Sequence, residues 1–158
     1  MGLLQTTLCY LEQDGCYLML HRVKKKQDVN HDKWIGVGGK FEPGETALAC
    51  ALREVREETG LTMLDPQYRG IVDFDCPPWP AERMHLYTCT RFCGELADCD
   101  EGTLEWVPKD AVQDLPIWPG DKLFFRQLAA GAPFFHLELY YQGDVLARAV
   151  LNGRETAL

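Results

Sequence analysis

Gly39-Lys-Phe-Glu-Pro-Gly-Glu45-Thr-Ala-Leu-Ala-Cys-Ala-Leu-Arg53-Glu54-Val55-Arg56-Glu57-Glu58-Thr59-Gly60-Leu61 is the most informative stretch of this chain. Its second half, Thr46 to Thr59, is rich in Ala, Leu, Glu and Arg and closes on Gly60, the residue that favours a left-handed helix C-terminus. The spacing predicts a helix there. At about 100° per residue, Leu48, Leu52 and Val55 share an apolar face with Ala51 at its edge. Glu54, Glu57 and Glu58, at i, i+3 and i+4, form a second face expected to be well rotated from the first. Three like charges in one turn repel each other, and they sit where the helix dipole disfavours negative charge. A solvated acidic face paired to Arg53 and Arg56 is one reading. The other is a site for a hard divalent cation such as Mg²⁺, which takes oxygen ligands. The loop before the helix favours the cation, because Gly38-Gly39 and Pro43-Gly44 let backbone carbonyls approach a bound ion.

Working outward, Thr6 to Leu11 and Tyr17 to Arg22 read as strands joined by a turn at Asp14-Gly15. Trp34 to Val37 is a short apolar segment. Tyr68 to Asp75 and Met84 to Phe92 read as strands on either side of the Cys76-Pro77-Pro78-Trp79-Pro80 loop, and Leu104 to Val107 as another. Pro119 to Ala130 reads as a second helix with proline in its first turn and Gly131 at its end. Phe134 to Tyr141 and Val145 to Leu151 close the chain as a hairpin. Strands outnumber helices and do not alternate with them, so the expected class is a layered α+β domain, with one domain over residues 1–158.

The 158 residues are 46% hydrophobic and 25% charged, which suits one globular core. A net charge of −8 argues against a nucleic-acid backbone as partner. It also means that an enzyme of this charge acting on phosphates needs metal ions between itself and its substrate. No apolar run approaches the roughly 20 residues that span a bilayer. The opening Met1 to Gln5 lacks the basic start and apolar stretch of an export signal. The seven cysteines, scattered and without a C-x-x-C pair, fit free thiols in a reducing cytoplasm.

The quoted stretch matches the Nudix box, G-x5-E-x7-R-E-U-x-E-E-x-G-U, at Gly39, Glu45, Arg53, Glu54, Val55, Glu57, Glu58, Gly60 and Leu61. The chain therefore resembles the Nudix hydrolases. The resemblance implies a mixed β-sheet sandwiched between helices in α/β/α layers. It also implies Mg²⁺, or Mn²⁺ in its place, held by Glu54, Glu57 and Glu58 with the Gly39 carbonyl. Glu45 and Arg53 would brace the loop against the helix. The reaction that the resemblance implies is hydrolysis of a phosphoanhydride in a small nucleotide, where cations offset the phosphate charge and a carboxylate takes a proton from water. Glu57 is the first candidate for that base and Glu101 its rival.

Outside the box the chain is similar to the MutT-like branch that hydrolyses oxidised purine nucleoside triphosphates to monophosphate and pyrophosphate. Trp34-x-Gly-x-Gly-Gly-Lys40 leads into the box, and Asp100-Glu101 stands where that branch carries a further metal-binding acid. Trp118-Pro119 and Asp121 match a segment in which a tryptophan stacks on the purine and an acid reads its edge. Arg22 falls where that branch places a basic residue near the substrate. Two positions depart from the pattern: Ile35 replaces an asparagine that contacts the base, and Gly120 replaces the first of two adjacent aspartates. Trp118 as a core aromatic, Asp121 as a helix first-turn acid and Glu101 as a loop acid remain open alternatives, and Lys24-Lys25-Lys26 is either a solvated loop or a phosphate tether. Hydrolysis of ADP-ribose or another nucleoside diphosphate derivative is the second enzymatic reading. A nucleotide sensor without catalysis is a third, which the intact glutamate set opposes. A monomer or homodimer is expected.

Overall fold

The computed structural model describes residues 3–24 and 27–158. Met1, Gly2, Lys25 and Lys26 lie outside the described residues, and with them most of the Lys24-Lys25-Lys26 run; Lys24 itself hydrogen-bonds the Cys99 carbonyl. In chain order the strands and helices are β1 (Leu4–Gln13), β2 (Cys16–His21), β3 (Trp34–Ile35), α1 (Ala47–Thr59), β4 (Leu61–Leu64), β5 (Gln67–Asp75) and β6 (Glu82–Cys89). There follow β7 (Arg91–Gly94), β8 (Thr103–Pro108), α2 (Asp121–Ala129), β9 (Phe135–Gln142), β10 (Val145–Leu151) and β11 (Arg154–Glu155). Among the described residues no helix is long and apolar enough to cross a membrane.

Asp14 and Gly15, at φ 52° and 75°, turn β1 into β2. The hairpin pairs only at its tip, Glu12 opposite Tyr17 and Gln13 opposite Cys16. Beyond it the strands part: β1 runs parallel to β6, while β2 pairs with β3 and β8. The resulting mixed sheet has the order β11-β10-β9-β5-β6-β1-β2-β3, with β8 also along β2. Side chains alternate across it. Leu8, Tyr10, Tyr17 and Met19 enter a core under α2, whereas Cys9, Leu11, Leu18 and Leu20 enter a second core under α1. Because both faces are buried here, β1 and β2 read as nearly continuous apolar runs. Each fully buried residue of this size contributes about 1.5–3 kcal/mol.

Thr46 caps α1 by accepting from the Ala49 amide at 3.1 Å, and Gly60 ends it at φ 79°. The helix docks by a different face from the one expected. Leu48 is 46% exposed, and the buried line is Ala51, Val55 and Glu58, flanked by Cys50 and Thr59. Small residues at 50 and 51 let the helix approach the sheet closely, which a leucine face would not. Glu58, three residues beyond Val55 and seven beyond Ala51, is thereby carried inside, so the three glutamates do not share one solvated face. Two further expectations change. The Met84–Phe92 strand breaks at Thr90, and its second part, β7, pairs with β4, a strand the sequence did not suggest. Helix α2 begins at Asp121, with Pro119 and Gly120 before it.

Candidate active site

The loop after β3 lies on β1 through backbone bonds from Thr7 to the Gly39 carbonyl at 2.9 Å and between Cys9 and Val37 in both directions. That pairing fixes Gly38 and Gly39 against α1. The Gly38 amide donates to Glu58 Oε1 at 2.8 Å. Glu54 lies so close over Gly39 that a Cβ there would stand 2.6 Å from its carboxyl. The Gly39 carbonyl accepts from the Thr7 amide at 2.9 Å and, at 3.5 Å each, from the Thr7 hydroxyl and the Cys50 thiol.

Arg53 ties the box together. Its guanidinium donates to Glu45 at 2.6 and 2.9 Å, to Glu54 at 2.8 Å, to Glu57 at 3.2 Å and to the Lys40 carbonyl at 3.0 Å. The fork geometry suits this multidentate role. These hydrogen bonds pull the Glu45 carboxyl down to about 2. Glu57 is mostly exposed, and Glu54 is held above its usual range by burial, with Arg53 opposing.

Glu58 is the unusual member. Burial first, and then the adjoining Glu101 carboxyl, push it well above the carboxylate range, while the Gly38 amide acts the other way. Its Oε2 is buried and has no hydrogen-bond partner. A buried carboxylate oxygen facing a second carboxyl is a position that a proton or a cation fills. Among the described residues no three His, Cys, Asp or Glu side chains form a ready-made metal cage. Arg22 holds Glu101 at 2.9 Å and Asp28 at 2.8 Å, so its guanidinium is engaged with two acids at the edge of the site.

From Gly39, Glu54 and Glu101 a cleft of about 490 Å³ runs between β1, β3 and β6 past Arg22 and Lys40 to Leu8, Ile35, Phe74 and Met84. It continues into a recess of about 40 Å³ lined by Trp118 and Asp121. Glu57 is not among the cleft's lining residues. Trp118 is 4% exposed, packed edge-on against Phe74 and Tyr141, and donates its indole N–H to Asn30 Oδ1 at 2.8 Å. It belongs to the core cluster under α2 and also lines the recess, with the Lys33 ammonium 4.6 Å from its ring centroid. Asp121 is also 4% exposed, and burial pushes its carboxyl up to about 8, against the pull of Lys33.

Sequence reading missed Asn30, Phe74, Glu82 and Met84, all of which line both cleft and recess. Glu82, placed before the expected strand start at Met84, pairs across the sheet with Leu4 and Phe74. Strand alternation sets it on the face of Met84 and Leu86, and extending the period by one step would have found an inward-facing acid.

The NUDIX domain pattern matches residues 4–128, and the chain belongs to that family, hydrolases of nucleotide phosphoanhydride bonds. It is 32% identical over 147 residues to the oxidized purine nucleoside triphosphate hydrolase of Danio rerio, covering 92% of each chain. A MutT protein from Bacillus halodurans superposes with a TM-score of 0.81 at 29% identity, over 95% of this chain and 98% of that one. These neighbours place it on the MutT-like branch. The NAD-capped RNA hydrolase NudC of Pseudomonas fluorescens is 36% identical over 92 residues, 58% of this chain and 32% of its own.

Proposed function

We propose that the chain hydrolyses a purine nucleoside triphosphate, oxidised on the base, to the monophosphate and pyrophosphate, with Mg²⁺ as its ion. The observation that carries this reading is the continuous cleft, acidic at the box and largely apolar at its far end. Its size is that of a small-ligand site. The hydrolase from Danio rerio, similar along nearly the whole chain, supports the substrate class.

The donor set fits a divalent cation: Glu54, Glu57, Glu58 and Glu101 would hold it with the Gly39 carbonyl, and the buried Glu58 Oε2, which accepts no hydrogen bond, would gain a partner in it. When bound, the ion offsets phosphate charge and makes water a better nucleophile. The protein's own groups do the rest. Arg53 fixes Glu54 against the glycine loop, Glu45 fixes Arg53, and Arg22 fixes Glu101. Lys40 lines the cleft beside the box and brings positive charge to an acidic protein, while the Arg22 charge is taken up by Glu101 and Asp28. Leu8, Ile35, Phe74 and Met84 exclude water around the base.

Two carboxylates compete for the base that accepts a proton from water: Glu57, mostly exposed, and Glu101, which lines the cleft. Replacing each by Gln separates them: the true base loses about 100-fold or more in kcat and its acid limb in the pH profile. The deciding experiment is a hydrolysis screen with and without Mg²⁺ across the common dNTPs, 8-oxo-dGTP, 2-hydroxy-dATP, ADP-ribose and NADH. Mg²⁺-dependent release of pyrophosphate from an oxidised purine triphosphate is expected. Preference for ADP-ribose, release of orthophosphate, or binding without turnover would each overturn the proposal.

A further inference from the structure

Ile35 and Gly120 leave the far end of the cleft without the amide and the carboxyl that the MutT-like pattern would place there, and a side chain at Gly120 would have to displace its neighbours. A Cβ at Gly120 would stand 2.6 Å from both Leu139 Cδ1 and the Tyr141 hydroxyl, and the Gly120 amide donates to that hydroxyl at 2.9 Å. Ile35 is paired with Leu20 and packed against both cores. Yet the same recess carries an amide and a second carboxyl from other elements: Asn30, from the loop before β3, and Glu82, from β6.

We infer that Asn30 and Glu82, together with Asp121, read the edge of the base, and that they select a guanine-type purine, with its carbonyl, ring N–H and amino group in a row. This rests on the nucleotide reading above. The indole of Trp118 only donates, so its bond to Asn30 Oδ1 fixes that amide and leaves the NH₂ as its free polar end. Among the described residues nothing hydrogen-bonds the carboxyl of Asp121 or of Glu82. Asp121, more than nine-tenths buried, opens into the recess all the same. An unmet polar group costs stability when buried, and a ligand that meets it removes the cost. Burial also raises the Glu82 carboxyl, with Lys40 and Arg22 opposing from the cleft wall and Asp28 adding to the rise. One donor and two carboxyls complement the acceptor-donor-donor edge of guanine. An adenine-type edge lacks the carbonyl, and a hypoxanthine-type edge lacks the amino group.

The test compares kcat/KM for 8-oxo-dGTP and for its analogue without the amino group, 8-oxo-dITP, in the intact chain and in two variants. The intact chain is expected to prefer the amino-bearing base by about tenfold or more. In Glu82→Met that preference falls by about tenfold, whereas Glu82→Gln, which keeps an accepting oxygen, retains it within about threefold. The thermal midpoint of Glu82→Met should not fall, since the carboxyl it removes has no partner. Asn30→Asp, which keeps the Trp118 bond but replaces the donor, should raise KM for both oxopurines. An unchanged preference in Glu82→Met, or an equal loss on both substrates with a lowered midpoint, overturns the inference and leaves the proposed function standing. Absence of turnover of both triphosphates by the intact chain overturns both, and shows before any variant is made.

Discussion

Adjacent glycines in the box should fail in different ways when given a methyl group. At Gly39 a Cβ would stand 2.6 to 2.7 Å from three atoms of the Glu54 carboxyl, which is the mobile end of a side chain. To regain contact distance the carboxyl must retreat by about 1 Å. Its bond to Arg53, 2.8 Å long, then leaves hydrogen-bond range. An off-rotamer side chain and one partly solvated charge-assisted bond together cost about 1–2 kcal/mol. For a chain of this length that lowers the thermal midpoint by about 2–8 °C. If Glu54 holds the ion as proposed, a displacement of this size costs about 100-fold in kcat. At Gly38 the Cβ would meet the Thr7 carbonyl oxygen at 2.0 Å and its carbon at 2.6 Å, backbone atoms that no rotamer can move, and the residue sits at φ 154°. The loop would have to leave β1, giving up its pairing through Thr7, Cys9 and Val37. That costs more than about 4 kcal/mol. Circular-dichroism melting and initial rates with Mg²⁺ distinguish the two: Gly39→Ala folded and nearly inactive, Gly38→Ala poorly folded. A fully active Gly39→Ala, or a Gly38→Ala that melts like the parent, would refute the reasoning.

Trp118→Ala should lower the melting midpoint by about 6–20 °C, because it empties a space among Phe74, Tyr141 and α2, and a loss of substrate affinity without a loss of stability would contradict its place in the core. Asp121 is raised to about 8 in the fold against about 3.9 unfolded, so the folded state binds the extra proton. Its contribution to stability is therefore present below pH 4 and lost as pH rises to about 8. Asp121→Asn should flatten the fall of the melting midpoint over that window, and parallel curves for the two proteins would count against it. Leu48→Ser, on the exposed side of α1, should change stability by less than about 0.5 kcal/mol, while Val55→Ala in the core costs about 2 kcal/mol by urea unfolding; the reverse order would restore the leucine face.

Local chemistry made much of this protein legible from its residues. The helix ends at Thr46 and Gly60, the turn at Asp14-Gly15 and the glycine, arginine and glutamate spacing of the box depend on bonds between near neighbours, and the chain alone states them. Pattern reading failed where a partner surface decides. Hydrophobic periodicity named Leu48 because leucine is apolar, but the sheet admits the small residues Cys50 and Ala51, and that rotation drew Glu58 inside beside Glu101. Only packing could bring Arg22 to Glu101, 79 residues apart, or bury Trp118 between β5 and β9. The sequence by itself determined the family and its reaction class, since the residues of the box lie in one contiguous stretch, Gly39 to Leu61. The tertiary structure decided which of its glutamates is buried and what lines the far end of the cleft. Those properties belong to no single segment: desolvation and cross-strand register arise only when distant elements close around a shared space.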